Sequence, residues 1–361
     1  MRQIGLSIYP DHSDNEANIN YLMLGQKYGY TRLFMSMLEI QGGIEATQAK
    51  YKQIILAAKA MGYQVFIDVN PRIFAQLQIK PTELAFFATL GVTGIRLDMG
   101  FDGATEARLT YNDQGLIIQL NETNDVDYLT NIMTYRPASD FLSGCHNFYP
   151  QRGTGIDEAY FERCSRRFRR FNLRSAAFIS SHQGTIGPWD VADGLPTMEI
   201  DRDLPIAVQA KHLFATNWVD DVLIGNAYAS ETELAAVAKV NRYQPELTVV
   251  LAPQASTLER QIVLKTQHER RGDINTQTVR STAPRTTYAG QATPCRDHEG
   301  EFQRGDVVIG NADFGVYANE LQIVLQPHYD ARKNYVGHIA EDELLLLAYL
   351  KPWTKFRLIA G

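Results

Sequence analysis

Short strand-like segments alternate with helix-like segments through the first two thirds of this chain, and the alternation repeats eight times. The strand candidates are residues 4–9, 32–37, 64–69, 94–99, 115–121, 141–148, 176–181 and 221–227. Such alternation favours a parallel sheet covered by helices, and eight units within about 240 residues match the usual length of a (β/α)8 barrel. The pattern therefore predicts an α/β fold in which residues 1–242 form a TIM barrel.

Residues that start and stop helices support this prediction. Asp14 is a good N-cap for a helix over residues 15–29, because its carboxylate can accept backbone N–H groups of the first turn. Pro81 and Gly91 bracket a second predicted helix over residues 81–90, since proline suits the first turn and glycine the position after the last.

The sequence changes character near residues 243–245. From Leu247 onward, short strand-like runs are separated by turn-forming residues such as Gly290 and Gly305. A small all-β barrel or sandwich is typical of this pattern. Because one core seldom serves more than about 250–300 residues, a chain of 361 residues is also long enough for two domains. We therefore predict a second, β-rich domain over residues 243–361.

Composition and charge exclude several classes of protein. A net charge of −6 and a pI of about 5.8 argue against general binding to nucleic acid or to a membrane surface. Three unevenly spaced cysteines suggest neither a disulfide framework nor a CxxC metal site. The first ten residues do not resemble a signal peptide, and the longest apolar run, residues 344–350, is too short to span a bilayer. We expect a soluble, cytoplasmic protein.

Polar residues occupy the ends of seven of the eight predicted strands. The active site of a parallel barrel lies at the carboxyl ends of its strands, where side chains two residues apart share a face. The candidate residues are Ser7, Tyr9, Ser36, Glu39, Asp68, Asn70, Arg96, Asp98, Gln119, Asn121, His146, Asn147, Tyr149 and Asn226. Their convergence predicts a polar mouth that binds a ligand.

Three carboxylates in this set, those of Glu39, Asp68 and Asp98, are the catalytic candidates. A buried carboxylate beside others can have a raised pKa and donate a proton while its neighbour stays ionised. Glycoside hydrolysis requires such a pair. A structural alternative pairs Asp98 with Arg96 on the same face, and Asp68 could similarly serve only to bind backbone.

A glycine-rich segment predicts an anion site. Residues 149–155, which include Arg152 and Thr154, run directly into a helix. Glycine lets backbone N–H groups approach an anion, and a helix N-terminus favours negative charge. Residues 180–187 follow the seventh strand, where many barrels bind phosphate. The alternative is that both segments are turns without a ligand.

Several cofactor chemistries lack their usual residues. None of the lysines stands at a predicted strand end, which argues against Schiff-base chemistry. The eight histidines form no HxH or HExxH pair, which disfavours zinc, although two or three carboxylates could hold magnesium. We expect a reaction that needs neither a metal nor another cofactor.

Five segments carry a resemblance to a known family: residues 4–10, 146–150, 153–155, 194–199 and 315–324. In order and spacing they resemble the bacterial 6-phospho-N-acetylmuramidases of the MupG type. The resemblance implies a TIM barrel followed by a cyclophilin-like β domain. It also implies cytoplasmic hydrolysis of a disaccharide of N-acetylmuramic acid 6-phosphate and N-acetylglucosamine, a step of peptidoglycan recycling. Asp201 departs from the family pattern, in which a histidine is expected.

These considerations lead to a working mechanism. Asp98 or Glu39 donates a proton to the leaving oxygen and Asp68 is the second carboxylate, unless the substrate's acetamido group is the nucleophile. Arg152, Thr154 and the loop after the seventh strand receive the phosphate, and Arg96 receives the lactyl carboxylate because a guanidinium binds carboxylates in a bidentate manner. Tyr9 and Tyr149 stack on the sugars. Glu199 is a further candidate acid, or a residue that merely precedes a helix.

Two alternatives stay open at this stage. A sugar-phosphate isomerase or epimerase would use the same carboxylates to abstract a proton. A non-catalytic sugar-phosphate sensor would bind the ligand without turnover. The oligomeric state is not predicted by the sequence.

Overall fold

The computed structural model describes residues 1–38, 44–124, 126–291 and 293–361. The chain divides into two compact units, Met1–Lys239 and Val240–Gly361. None of the helices described in these ranges combines the length and the apolar composition that a membrane-spanning helix needs.

Eight parallel strands in the first unit form one sheet. They are β1 (Gln3–Ile8), β2 (Arg32–Ser36), β3 (Gln64–Val69), β4 (Gly94–Leu97), β5 (Ile117–Asn121), β6 (Leu142–Cys145), β7 (Ala176–Ile179) and β8 (Asp221–Ile224). Their order is β6-β5-β4-β3-β2-β1-β8-β7. Backbone hydrogen bonds from Gly144 to Arg174 (2.8 Å) and from His146 to Ala176 (2.9 Å) join β6 to the chain entering β7. The sheet therefore closes into a barrel, and the predicted TIM-like fold is confirmed.

The helices of this unit lie between the strands. They are α1 (Asn15–Lys27), α2 (Ile44–Ala60), α3 (Pro71–Gln76), α4 (Ala85–Leu90), α5 (Ala104–Leu109), α6 (Tyr128–Thr134), α7 (Glu158–Arg170), α8 (Ile206–Ala215) and α9 (Glu231–Ala238). The Asp14 carboxylate accepts N–H groups of Glu16 and Ala17, as expected of an N-cap. The helix predicted from residue 81 begins only at Ala85, because the preceding residues form a turn closed by Glu83 and Lys80.

The interior of the barrel is filled by side chains that alternate along each strand. Phe34, Phe148 and Phe178 pack edge to face, with ring centroids 5.0–5.8 Å apart. At the amino-terminal ends of the strands, the buried Arg32 and the exposed Arg174 both pair with the buried Asp221. The aromatic packing and these ion pairs fill the interior, so the strand ends carrying Asp68 and Asp98 are backed by a packed core.

The second unit is built on a mixed sheet. Its strands are β9 (Glu246–Leu251), β10 (His268–Glu269), β11 (Thr278–Ser281), β12 (Asp306–Gly310), β13 (Leu321–Val324), β14 (Lys333–Ile339) and β15 (Lys355–Ala360), in the order β10-β15-β9-β14-β12-β13-β11. Only β15 and β9 are parallel among the described pairs. Phe302, Val308 and Val324 form a fully buried cluster.

This unit also contains α10 (Thr257–Lys265) and α11 (Ala283–Thr287). The β-rich prediction is right for the sheet but misses α10. Ser256 and Glu259 form a capping box at its start, a signal that the sequence carries.

Candidate active site

A cavity of about 230 Å³ opens at the carboxyl ends of the barrel strands. The residues that line it are Tyr9, Asp11, His12, Ser36, Leu38, Asn70, Arg72, Asp98, Pro188 and Trp189. Four of these, Tyr9, Ser36, Asn70 and Asp98, belong to the polar set predicted from the strand ends. The structure therefore brings together part of that set at the face where TIM-barrel enzymes carry out their chemistry.

Asp68 and Asp98 are joined through Arg96. Asp68 on β3 lies beside Arg96 on β4 in the parallel register. One guanidinium nitrogen of Arg96, Nη1, lies 2.6 Å from Asp68 Oδ1 and 3.4 Å from Asp98 Oδ1. The other, Nη2, donates to Asn147 Oδ1. Asp68 and Arg96 are buried, whereas 32% of the Asp98 side chain is exposed, so Asp98 is the carboxylate of this pair that faces the cavity.

Burial shifts the pKa values of Asp68 and Arg96. Loss of solvent raises the pKa of Asp68 to about 7, although Arg96 opposes the rise. Burial alone would lower the pKa of Arg96, but the negative charges of Asp68 and Asp98 raise it above its usual range. The guanidinium stays charged throughout, while Asp68 is poised to change its charge near neutral pH.

Three predicted ligand-binding residues also have structural roles. The Asn70 side chain accepts the backbone N–H of Ile73 at 3.1 Å and caps α3, while it still lines the cavity. Asn121 donates to the backbone carbonyl of Asp98 at 3.1 Å and so helps to fix that residue. Tyr9 donates its hydroxyl to the Gly225 carbonyl, and burial raises the pKa of the phenol well above its usual value.

The structure does not bring His146 and Asn226 into the cavity. His146 is fully buried on the outer side of the barrel, where its Nε2 lies 2.8 Å from Ser165 Oγ on α7 and its ring packs on Phe161. Asn226 is also buried and binds the backbone of Ser181. Tyr149 is partly buried and is not among the residues that line the cavity.

The predicted anion site already holds an anion of the chain itself. Backbone N–H groups of Gly153 and Gly155 each donate to the Glu199 carboxylate at 2.8 Å. The buried guanidinium of Arg202 adds two contacts of 2.7 Å to the same carboxylate. Hydrogen bonds from Arg202 come first among the causes that lower the pKa of Glu199 to about 2. The glycines act on an anion as predicted, but Glu199 occupies their site.

Arg152 and Thr154 flank the same site. The Arg152 guanidinium forms two contacts, of 2.5 and 2.9 Å, with the exposed carboxylate of Asp203. Thr154 is exposed and donates its hydroxyl to the Gln151 carbonyl at 2.6 Å. Neither side chain lines the cavity.

Asp201, the departure from the family pattern, is fully buried. Its Oδ1 lies 2.7 Å from His212 Nδ1, and His212 Nε2 lies 3.2 Å from Glu158. Burial alone would lower the pKa of His212, but the two carboxylates outweigh it and raise the pKa to about 9. Asp201 therefore contributes to a buried ion pair and not to the lining of the cavity.

Sequence analysis missed several lining residues, namely Asp11, His12, Arg72, Pro188 and Trp189. Arg72 follows β3 by only three residues, so its place near the strand end was a usable signal. Trp189 lies ten residues beyond the end of β7, in a loop whose course no periodicity reveals. Glu39 lies outside the described residues and directly follows Leu38, which lines the cavity.

Across the described parts of the chain, no three His, Cys, Asp or Glu side chains lie close enough together to hold a metal ion.

Comparison with known proteins gives the following matches. Residues 4–239 match the family model described as 6-phospho-N-acetylmuramidase, N-terminal, and residues 245–359 match the one described as 6-phospho-N-acetylmuramidase, C-terminal. An uncharacterized B. cereus protein of known crystal structure is 47% identical, with a TM-score of 0.92 and 99% of each chain covered. A conserved Enterococcus faecalis protein of unknown function shares the fold at 24% identity, with a TM-score of 0.70 over 99% of this chain and 96% of that chain. No curated protein matches the chain.

Proposed function

Because the chain belongs to the 6-phospho-N-acetylmuramidase family and is a glycoside hydrolase, we propose that it cleaves a disaccharide of N-acetylmuramic acid 6-phosphate and N-acetylglucosamine. The reaction would serve peptidoglycan recycling in the cytoplasm. The proposal extends to the second unit, whose mixed sheet would form the cyclophilin-like domain of this family over residues 243–361.

The observation that carries the proposal is the partly exposed Asp98 carboxylate in the cavity at the barrel mouth. In the proposed reaction, Asp98 would transfer a proton to or from the glycosidic oxygen. Arg96 holds it and links it to Asp68, whose raised pKa is typical of carboxylates at catalytic sites. Asp68 does not line the cavity and would act through Arg96. Glu39 remains the second candidate for the acid.

The phosphate would bind at the same mouth. Arg72 and His12 are exposed side chains that line the cavity beside Asp98. Arg152, by contrast, already neutralises Asp203, and Glu199 fills the glycine site beside Thr154. We therefore assign the phosphate to Arg72 and His12 in preference to Arg152 and Thr154, since a guanidinium binds phosphate through paired hydrogen bonds.

Incubation with the phosphorylated disaccharide and with its unphosphorylated form, followed by mass spectrometry, tests the proposal. We expect release of N-acetylglucosamine from the phosphorylated form at a much higher rate. Asp98→Asn should lower kcat by about 10²–10⁴-fold, the usual contribution of general acid–base catalysis. Asp203→Asn, which removes an exposed carboxylate outside the cavity, is the matched control and should keep the rate. Cleavage of neither disaccharide would overturn the proposal.

A further inference from the structure

Trp189 exposes a large aromatic surface to the cavity. Its side chain lines the mouth together with Asp98, yet the residue is 48% exposed. Ligand sites usually combine apolar surface with a few polar groups. A half-exposed indole beside polar side chains has this composition.

The ring of Trp189 is supported from within the barrel. Its centroid lies 6.2 Å from that of Phe148, which packs edge to face against Phe34 and Phe178. Phe34 and Phe178 are buried and Phe148 is partly buried against them, so the indole contacts a group of rings that is anchored in the core.

The loop that carries Trp189 is anchored on both sides. Before it, Ile186 and Ala227 exchange two backbone hydrogen bonds of 2.6 and 2.9 Å. After it, the Leu195 N–H donates to Ser180 Oγ at 2.9 Å. Both sides of the loop are therefore fixed without a ligand, which reduces the entropy lost on binding.

The tyrosine of the described lining cannot offer a ring face. Tyr9 is 1% exposed, and its hydroxyl is committed to the Gly225 carbonyl. Tyr149, the other tyrosine expected to stack on a sugar, is not part of the lining. Trp189 is thus the flat apolar surface available at this mouth.

We propose that Trp189 is the platform on which the pyranose ring next to Asp98 lies. One face of an N-acetylated pyranose is formed by C–H groups and suits a flat aromatic ring, while its hydroxyls at the rim would meet Ser36, Asn70 and Asp98. The inference rests on the proposed function for the identity of the sugar, and it names a substrate-binding residue that the family assignment does not supply.

Fluorescence provides a direct test, because the chain has three tryptophans, Trp189, Trp218 and Trp353. We would titrate the Asp98→Asn protein with the phosphorylated disaccharide, with N-acetylmuramic acid 6-phosphate and with inorganic phosphate. Both sugars should change the emission and phosphate alone should not. The change should vanish when Trp189→Phe is added and persist when Trp353→Phe is added, since Trp353 is an exposed tryptophan of the second unit.

Kinetics on the phosphorylated disaccharide provide the second readout. Trp189→Ala should raise KM about tenfold or more and change kcat by less than about threefold, because stacking holds the ground state and the transition state alike. Trp189→Phe should recover most of the lost affinity, since it keeps an aromatic ring. An unchanged melting temperature would show that the variants are folded.

The outcomes separate the two proposals. Cleavage with an unchanged KM in Trp189→Ala, or an emission change that survives Trp189→Phe, would overturn the platform and leave the hydrolase assignment intact. A sugar-dependent emission change that requires Trp189, without any cleavage, would support the platform and overturn the proposed substrate. A lower kcat at constant KM in Trp189→Ala would also overturn the platform.

Discussion

The carboxyl group of Asp68 has a pKa unlike that of a carboxylate in an ordinary surface ion pair. Its carboxylate is buried and contacts Arg96 at 2.6 Å, and burial raises its pKa from 3.8 to about 7. A group that binds its proton more tightly in the folded state opposes folding once it is ionised. Above about pH 7 the native protein therefore carries a charge there at a cost in stability, as is common for functional carboxylates.

This gives a prediction for the pH dependence of stability. Between about pH 4 and pH 7 the folded chain binds more protons at Asp68 than the unfolded chain, so its contribution to the free energy of unfolding falls as the pH rises. We expect the wild-type protein to lose stability relative to Asp68→Asn across this window, as measured by urea unfolding. The measured quantity is the change with pH in the stability difference between the two proteins. Any effect of the substitution on Arg96 that does not depend on pH therefore cancels. Parallel curves would contradict the raised pKa.

Individual residues also show how far the sequence could predict the site. Alternation along a strand placed Asp68, Arg96 and Asp98 on one face, and the structure joins them. The same argument did not tell which of the adjacent residues His146 and Asn147 faces the lumen, because β6 ends at Cys145 and the chain leaves regular geometry there. Asn147 contacts Arg96, whereas His146 packs against α7.

At the level of elements, the loop between β6 and α7 is fixed by charge. Glu199 joins the backbone N–H groups of Gly153 and Gly155 to the buried guanidinium of Arg202. Arg202 also donates to carbonyl groups of the two neighbouring loops, including those of Tyr149 and Asp193. One carboxylate thus stabilises two segments that flank the barrel mouth.

Removal of that carboxylate should therefore cost more than removal of a surface one. Glu199→Ala leaves two backbone donors and a buried cation without their acceptor, and we expect a loss of about 1–3 kcal/mol in the free energy of unfolding. Asp203→Asn is the matched control, because it removes an exposed pair on the same loop and should cost less than about 1 kcal/mol. Chemical denaturation of both variants measures the difference. Equal losses would show that the glycine site does not depend on Glu199.

A second pair of elements is joined by His212 on α8. Its imidazole lies between Asp201 and Glu158, which raise its pKa from 6.5 to about 9. Because the folded state holds this proton more tightly, the stabilisation is complete below about pH 6.5 and is lost as the pH rises through about 9. Thermal unfolding from pH 6 to pH 10 should show wild type losing stability relative to His212→Gln. A constant difference between the two proteins would mean that His212 does not titrate in this window.

Helices and strands were predicted correctly where neighbouring residues determine the backbone conformation. The prediction failed where contacts with distant residues determine it. Strand positions were predicted closely, since apolar runs bounded by turn residues are local signals; β3 matches its predicted residues 64–69 throughout. The helix expected from Pro81 starts four residues late, because a turn at Lys80–Glu83 takes its first residues. The loop of Trp189 has no periodicity, so its place at the mouth depends on contacts with Phe148 and Ala227 that only the fold creates.

The whole chain is two units with separate cores. The sequence predicted a change near residue 243. Along the chain, the first unit ends at Lys239 and the second begins at Val240, and the two family matches leave a gap between residues 239 and 245. Each unit contains fully buried aromatic side chains of its own, such as Phe87 in the barrel and Phe302 in the second unit. Units of this kind can unfold independently, because each buries its own apolar surface.

Calorimetry of two matched variants tests this independence. Phe87→Ala and Phe302→Ala each remove a fully buried phenyl ring, and each should destabilise its own unit by about 3–5 kcal/mol. We expect two thermal transitions in the wild-type protein, with Phe87→Ala lowering one and Phe302→Ala the other. The cavity is lined only by residues of the first unit among those described, so hydrolysis should be lost with the transition that Phe87→Ala lowers. If either variant lowers both transition temperatures equally, the two units unfold as one cooperative body. Unfolding of the second unit would then abolish hydrolysis as well.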